Sequence, residues 1–284
     1  MKNIFTIIPQ FLKNPEEFYQ AVQRNEELKT KAFSLFISTV VFLAIYGFIT
    51  GLSHSWLQAA SSASKIPLLF LLTLVFTLPA LYFFALALLN VQFSVAQASV
   101  VVLSGIGVTA FLLLGLSPVT LFFVLTSSSY PFFQLLAVAF MAISGFTGLR
   151  YILRGFTSVD KDRELTSGSL GNSLLQAWVV LYGFVGAQMT WRLSPLIGDP
   201  QEPFYWLRPS RDNFFVDVIN AFEGTFGVGR AGGFDALGVF FWLLVIVLVI
   251  GIWLGSKRKA PSNNLHNQPA PQQEKTPSEQ SKNA

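Results

Sequence analysis

Four glutamines interrupt the long apolar runs of this 284-residue chain: Gln97, Gln134, Gln176 and Gln188. A primary amide carries hydrogen-bond donors and acceptors without a charge. Between membrane helices, such a group bonds to a neighbouring helix or lines a narrow polar path for a neutral solute. At about 100° per residue, Gln176 and Thr190 share one side of a helix, whereas Gln188 lies about 120° from Gln176. We therefore predict interhelical hydrogen bonds, with a polar path as the alternative.

Other motif-like residues favour structural roles over catalysis. Residues 227–232 read Gly-Val-Gly-Arg-Ala-Gly and match the glycine pattern of dinucleotide-binding loops. That chemistry requires a preceding strand and a following crossover helix, whereas here an amphipathic stretch precedes and an apolar run follows, so we interpret it as a connector. The alternating charges at 160–164 indicate a solvated loop. His54, at the end of the first apolar run, is interpreted as an interfacial polar residue.

The composition predicts an integral membrane protein. Hydrophobic residues make up 52% of the chain and charged residues 12%, against about 25% charged residues in a soluble domain. Lys65 is the only Asp, Glu, Lys or Arg between Lys31 and Arg150. The chain has no cysteine, which excludes disulfides. Its two histidines are far apart in sequence, which argues against a metal site. Because no predicted span carries an ionisable group near its middle, we expect no enzyme activity and no cofactor.

Long apolar runs define the predicted fold. Crossing about 30 Å of hydrocarbon takes about 20 apolar residues in a helix. Six stretches qualify and predict an all-α bundle of about six transmembrane helices: 32–52, 66–89, 93–116, 131–153, 174–191 and 234–254. The short apolar piece at 120–125 is either a re-entrant or interfacial segment or the end of a long tilted helix. Because 174–191 is the most polar stretch, counts of five or seven spans stay open.

Basic residues set the predicted orientation. Five Lys or Arg residues precede the first span, and three follow the sixth at 257–259. Four more lie at the end of the fourth span and in the connection after it, at 150, 154, 161 and 163. Basic flanks favour the cytoplasmic side, so both termini are predicted to be cytoplasmic in a multi-pass protein of a bacterial cell membrane. Basic residues that flank the spans account for the net charge of +4, so the charge does not indicate nucleic-acid binding.

The predicted organisation follows from these spans. It comprises a cytoplasmic segment at 1–31, five spans within 32–191, an outer connection at 192–232, the sixth span within 233–255 and a disordered tail at 256–284. In the first segment, Asn14, Pro15 and the acids at 16 and 17 indicate a helix from about 15 to 30. The apolar residues at 4–12 either lie on the membrane surface or pack against the spans.

The outer connection contains a predicted amphipathic helix. Its apolar residues recur at helical spacing, while Asp217, Asn220 and Glu223 take the opposite face. Such a helix lies on the outer leaflet or over the mouth of the bundle. It is either a structural lid or a surface that contacts a partner or lipid, and the candidate contact residues are Phe214, Phe215, Val218, Ile219 and Phe222.

Small residues recur four positions apart in three apolar runs. The pairs are Gly-x-x-x-Gly at 47/51 and 251/255 and Ser-x-x-x-Gly at 144/148. Small side chains let helix backbones approach closely where the hydrophobic effect provides no drive. We predict packing within the bundle, with a homodimer face as the alternative.

Several short stretches resemble a set of bacterial polytopic membrane proteins without assigned activity. They read Gly-Ala-Gln-Met-Thr-Trp at 186–191, Pro-Leu-Ile-Gly at 195–198, Pro-Phe at 203–204, Arg at 208 and Asn-Phe-Phe at 213–215. More loosely, a cytoplasmic segment followed by closely spaced Phe-rich spans is similar to the Yip family. That resemblance implies a non-enzymatic protein that recruits partners or organises membranes. The long outer connection and the sixth span depart from the five-span plan of that family.

Two functions follow as hypotheses. The first is a non-catalytic scaffold, assembly or membrane-organising factor, whose partners are membrane lipids, other membrane proteins or further copies of itself. The second is a permease or channel for a neutral or apolar small solute, lined by the four glutamines. A continuous polar cavity would favour the permease, whereas a dry core with exposed apolar side chains on the outer helix would favour the scaffold.

Overall fold

The computed structural model describes residues 4–89, 94–126, 129–159, 169–198, 202–207, 216 and 218–222. Within these ranges all regular structure is helical and no strand occurs. Tertiary contacts divide the chain after Ala231, and every described residue belongs to the first unit, Met1–Ala231.

In the described ranges, two short helices precede five long ones. A 3₁₀ turn at Ile4–Thr6 leads into α1 (Ile7–Lys13) and α2 (Pro15–Gln23). The long helices are α3 (Leu28–Gly51), α4 (Trp56–Leu89), α5 (Val95–Thr126), α6 (Tyr130–Val159) and α7 (Ser169–Arg192). Their apolar residues are not confined to one stripe, which is the pattern of helices with apolar surroundings on all sides.

Among the residues that the structure describes, four helices are long and apolar enough to span a membrane. They are Leu28–Gly51, Trp56–Phe84, Val95–Thr126 and Tyr130–Val159. The all-helical membrane class is thereby confirmed, with helices at the first four predicted spans. The predicted fifth span is helical as α7 but is not one of these four, and the predicted sixth span at 234–254 lies outside the described residues.

Two helices extend beyond the predicted spans. α4 begins at Trp56 instead of near residue 66, because the Ser55 hydroxyl accepts a hydrogen bond from the Gln58 amide at 3.2 Å and caps it. The predicted spans 32–52 and 66–89 leave Lys65 in the connection between them, and that prediction was wrong, because Lys65 lies inside α4. α5 continues to Thr126, so residues 120–125 are the end of a long helix. The 34 residues of α4 extend about 51 Å at about 1.5 Å per residue, more than the hydrocarbon thickness of about 30 Å.

Small residues permit the closest helix contacts. Extensive contacts run in the order α6, α5, α3, α4, α7. A Cβ atom on Gly47 or Gly51 would collide with the α4 backbone at 58–63, and one on Gly148 would collide with the Gly105 carbonyl. Packing of the 47/51 and 144/148 pairs within the bundle is thus confirmed, while the 251/255 pair lies outside the described residues.

The N-terminal helices pack against the long helices. α1 contacts α3 and α5, and α2 contacts α5 and α6. Four of their side chains are buried in the common core: Ile8, Phe11, Tyr19 and Val22. Of the two predicted placements, packing against the spans is the observed one. The expectation of one helix from 15 to 30 was wrong, because Asn25 and Glu27 adopt positive φ angles of 61° and 50° and separate α2 from α3.

Candidate functional site

Four polar residues follow one side of the start of α4. His54, Gln58, Ser62 and Lys65 are spaced by four, four and three residues, a spacing that places them on one helix face. Gln58 and Ser62 are fully buried and Lys65 is 2% exposed. The spacing itself was the signal in the sequence. Hydropathy alone does not reveal it, because the apolar run begins only at residue 66, after all four residues.

This face of α4 binds the backbone that follows α7. Gln58 Nε2 donates to the Pro195 carbonyl at 3.1 Å, and Lys65 Nζ donates to the same oxygen at 3.2 Å. Ser62 Oγ donates to the Leu196 carbonyl at 2.6 Å. Three side chains of one helix therefore satisfy two carbonyl groups of a connection that is buried in the bundle.

His54 extends the same contact toward the surface. Its Nε2 atom donates to the Glu202 carbonyl at 2.9 Å, and its Nδ1 atom lies 2.8 Å from the Ser55 hydroxyl. A Cβ atom on Gly198 would come within 3.0 Å of the side chains of His54 and Gln58. The connection reaches α4 because glycine occupies position 198.

Lys65 is a buried cation without a carboxylate partner. In the described part of the chain, no Asp or Glu oxygen lies within ion-pair distance of it. Its ammonium makes one hydrogen bond, to Pro195, and lies 5.3 Å from the centre of the Trp206 ring, within the range of a cation–π contact. A buried ammonium without a counter-ion is destabilising by several kcal/mol. An anion at Nζ would offset that penalty.

Two further polar atoms of α4 lack partners. Ser61 Oγ and Gln58 Oε1 are buried and make no hydrogen bond with any described residue. Ser61 precedes Lys65 by one helical turn and follows Gln58 by three residues, so the three side chains lie close on one face. Buried polar atoms are satisfied in the great majority of cases. Three incompletely satisfied polar groups therefore lie together on this face of α4.

The polar contacts of Gln97 lie in another part of the fold. Gln97 and Ser94 form a reciprocal capping box at the start of α5: Gln97 N donates to Ser94 Oγ at 3.1 Å, and Ser94 N donates to Gln97 Oε1 at 2.8 Å. Gln97 Nε2 donates to the carbonyls of Val22 and Gln23 at 3.1 and 3.2 Å. Its amide thus joins α5 to the end of α2.

The four glutamines do not meet in the described structure. Gln134 is partly buried near the start of α6, at the opposite end of the bundle from Gln97, because α6 begins only four positions after the last residue of α5. Gln188, also partly buried, lies near the end of α7 and precedes the connection that contacts Lys65. The side chain of Gln176 is outside the described residues, so Gln97 is separated from at least two of the others.

Tyr19 attaches α2 to the long helices. Its hydroxyl donates to the Tyr151 carbonyl at 2.7 Å and lies 3.2 Å from Ser104 Oγ. Burial raises the pKa of Tyr19 above its usual value. An exposed ion pair between Glu16 and Arg154 lies beside this contact.

The predicted amphipathic helix is described only at 216 and 218–222, which are helical. Val218 and Ile219 are buried, Asn220 is exposed and Phe222 is 36% exposed. Val218 and Ile219 therefore face the chain itself, and Phe222 alone of these three remains accessible. Phe214 and Phe215 lie outside the described residues.

The polar face of α4 combines a cation, a hydroxyl and an amide oxygen, which are groups that bind an anion carrying its own hydrogen-bond donor. In the described ranges no cluster of His, Asp or Glu is arranged to hold a metal ion. Comparisons of the chain with protein families, with curated proteins and with solved structures found no significant match.

Proposed function

We propose that this protein is a non-catalytic membrane scaffold, assembly or membrane-organising factor that uses its outer connection as the contact surface. The observation that supports this is a segment of the outer connection that is hydrogen-bonded to the bundle, yet keeps its large apolar side chains exposed. Residues 202–207 are tied to the bundle through His54 and the Glu202 carbonyl. The segment nevertheless leaves large side chains accessible, with exposed fractions of 39%, 55% and 51% for Tyr205, Trp206 and Leu207.

Such a segment suits recognition for two physical reasons. Aromatic side chains are enriched in the cores of protein interfaces because they bury much apolar area. A segment that the fold already holds loses less conformational freedom on binding than a free one, and this improves affinity. Phe222, on the following helical stretch, adds a further accessible aromatic ring.

The proposed topology has six spans and cytoplasmic termini in a cell membrane. It rests on the four apolar helices, on the helix α7 and on the apolar stretch at 234–254, together with the basic residues at both ends. A topology reporter fused after Ala284 should score as cytoplasmic. A score on the outer side would mean an odd number of spans and would overturn this topology.

Co-purification tests the scaffold proposal. The full-length chain would be extracted from native membranes in a gentle detergent, and the mass and protein content of the particles would be read by mass spectrometry. We expect a stoichiometric partner or a second copy to co-purify with the native protein and to be lost in a Tyr205→Ser, Leu207→Ser double variant. Trp56→Ser is the matched control, because Trp56 is 74% exposed near the start of α4 but lies outside the connection.

Two results would contradict the scaffold proposal. One is a lone monomer under conditions that preserve known membrane complexes, and the other is a partner that the double variant retains. The alternative, a permease for a neutral or apolar solute, is favoured by the buried hydroxyl oxygens of Thr39 and Ser144, which have no partner among the described residues. Solute flux into liposomes containing the purified chain would support it.

A further inference from the structure

The packing of α3 against α4 gives the depth of the polar face of α4. The apolar run of α3, at 32–52, rises about 31 Å at about 1.5 Å per residue and so matches the hydrocarbon thickness of about 30 Å. A Cβ atom on Gly47 would collide with the Ser62 carbonyl, so these two residues lie at one level. Gly47 precedes the end of the run at Leu52 by five residues. Ser62 therefore lies about 7 Å inside the hydrocarbon boundary.

The start of the connection after α7 lies at the same depth, and α6 gives this depth independently. On one side, the Leu196 carbonyl accepts a hydrogen bond from Ser62 Oγ at 2.6 Å. On the other side, Ile197 belongs to one buried apolar cluster with Phe133 and Ala137 of α6. Those two residues lie two and six positions inside the apolar run of α6, about 3–9 Å below its start at about 1.5 Å per residue. Both helices therefore place the start of the connection inside the hydrocarbon boundary.

Irregular backbone at such a depth requires partners within the protein, because hydrocarbon provides none. Three successive carbonyls of the connection each accept a side-chain hydrogen bond: Pro195 from Gln58 and Lys65, Leu196 from Ser62, and Ile197 from Tyr130. Pro195 has no N–H group, which removes one donor that would need a partner. The Lys65 ammonium is tolerated at this depth because it faces the bundle and bonds a backbone carbonyl. The polar face of α4 thus supports this segment.

The chain then returns along the same end of α4. His54 Nε2 donates to the Glu202 carbonyl at 2.9 Å, and the Trp206 ring lies 5.3 Å from the ammonium of Lys65. That ammonium bonds the backbone beside the level of Ser62, so the ring lies at the hydrocarbon boundary. Residues 203–207 carry no charged side chain. Exposed aromatic rings at this level suit lipid, because such rings are enriched where hydrocarbon meets headgroups.

We propose that the connection after α7 re-enters the membrane. Residues 195–198 lie within the outer half of the bilayer, and Tyr205, Trp206 and Leu207 contact outer-leaflet lipid at the hydrocarbon boundary. In the described residues α4 and α6 make no extensive contact with each other, so the re-entrant segment joins their outer ends. A protein partner of the scaffold proposal would have to reach this surface within the membrane.

Spin labels at single cysteines measure this depth, because the native chain contains no cysteine. The full-length chain carrying Tyr205→Cys or Leu207→Cys would be labelled and reconstituted as one copy per lipid nanodisc. Electron paramagnetic resonance would compare collisions with oxygen, which concentrates in hydrocarbon, and with a water-soluble nickel chelate. Val75→Cys is the control for lipid, because Val75 is exposed within the apolar run of α4. Lys29→Cys is the control for water, because Lys29 is exposed before the apolar run of α3.

The labels at 205 and 207 should behave as lipid-exposed groups. We expect them to collide with the nickel chelate at least threefold less often than the label at 29, and with oxygen more often than that label. A nickel collision rate equal to that at 29 would place the connection in water and overturn the proposal. Low collision rates with both reagents would place the two side chains inside protein, and this would overturn the lipid contact.

Ser62→Ala tests whether the polar face of α4 holds the segment at its depth. The change removes the donor to the Leu196 carbonyl and alters the volume little. We expect nickel collisions of the label at 207 to rise at least threefold in Ser62→Ala and to stay unchanged in Ser64→Ala. Ser64 is the matched control, because it is exposed and bonds carbonyls of its own helix. Equal collision rates in the two variants would overturn the supporting role of this face.

The depth of the connection and the scaffold proposal can fail separately. The nanodisc holds one chain and no partner, so labels accessible to water would overturn re-entry and leave the co-purification result standing. A partner retained by the Tyr205→Ser, Leu207→Ser variant would overturn the scaffold proposal and leave the measured depth unchanged.

Discussion

Replacing Tyr19 by Phe should loosen the N-terminal helices by an amount that the structure defines. The change removes the hydroxyl that donates to the Tyr151 carbonyl at 2.7 Å. It keeps the ring, whose centre lies 5.3 Å from that of Phe11 and 5.8 Å from that of Phe18. The perturbation is therefore confined to polar contacts.

The expected magnitude follows from those contacts. A buried hydrogen bond between uncharged groups contributes about 0.5–1.5 kcal/mol to stability. Ser104 Oγ keeps its own bond to the Val101 carbonyl at 2.7 Å, so the main loss is the donor to Tyr151. A loss of about 1–1.4 kcal/mol corresponds to about a fivefold to tenfold larger population with α2 detached.

Hydrogen exchange of the α2 backbone measures that population. In the full-length protein in detergent, peptides covering 15–23 should lose protection by about fivefold to tenfold in Tyr19→Phe, because exchange proceeds from the detached state. Peptides within α5 should be unaffected. Glu16→Gln is the matched comparison. It removes an exposed ion pair with Arg154, worth about 0–1 kcal/mol and weakened by salt.

One result would refute this reasoning. If Tyr19→Phe changed α2 exchange by less than about twofold while Tyr19→Ala detached the helix, apolar burial alone would hold α2. The hydroxyl bond would then contribute nothing measurable to the N-terminal contact.

Three further predictions concern the titration of Tyr19, the packing of a small residue and the hydrogen bonds of Gln97. Burial raises the pKa of Tyr19 in the packed state, so above about pH 10 the hydroxyl ionises more readily when α2 is detached. The exchange protection of α2 should therefore fall as the pH rises beyond that value. Tyr19→Phe should lack this pH-dependent loss of protection. Gly148→Ala should destabilise the fold by about 1–3 kcal/mol in thermal or denaturant unfolding, since its Cβ would meet the Gly105 carbonyl. Gly145→Ala, with open space around it, should be neutral or stabilising by up to about 1 kcal/mol, and equal effects at the two glycines would disprove the packing argument. Gln97→Met should increase exchange at the end of α2, because it removes the amide that bonds the Val22 and Gln23 carbonyls; unchanged exchange would show that this contact is dispensable.

The N-terminal segment shows why part of the fold could not be predicted. Its apolar residues suit burial against protein as well as burial in a lipid surface, since both environments remove the same area from water. The hydroxyl of Tyr19 finds the Tyr151 carbonyl 132 residues later. No local pattern encodes so distant a partner. The break at 24–27 was missed for a related reason, because Asn25 and Glu27 adopt left-handed conformations that ordinary propensities disfavour.

The start of α4 shows the limit of hydropathy as a guide. Apolar runs locate the part of a helix that faces hydrocarbon, whereas the helix itself begins where a cap satisfies its first amides. The Gln, Ser and Ala residues before Lys65 are too polar to count as a span, yet they pack against Gly47 and Gly51. The polar spacing from His54 to Lys65 was visible in the sequence. The role of these side chains depended on residues 195–198 and 202, which only folding brings near them.

The sequence alone determined the class of this protein and the positions of its first four apolar helices. In hydrocarbon the backbone must satisfy its own hydrogen bonds, so an apolar run of about 20 residues or more has to be helical. Only the tertiary structure decided that Gln97 joins α5 to α2 and that Lys65 lies buried beneath the connection after α7. Those contacts link residues 74 to 130 positions apart, and their energy depends on which groups the packed helices bring together and shield from water.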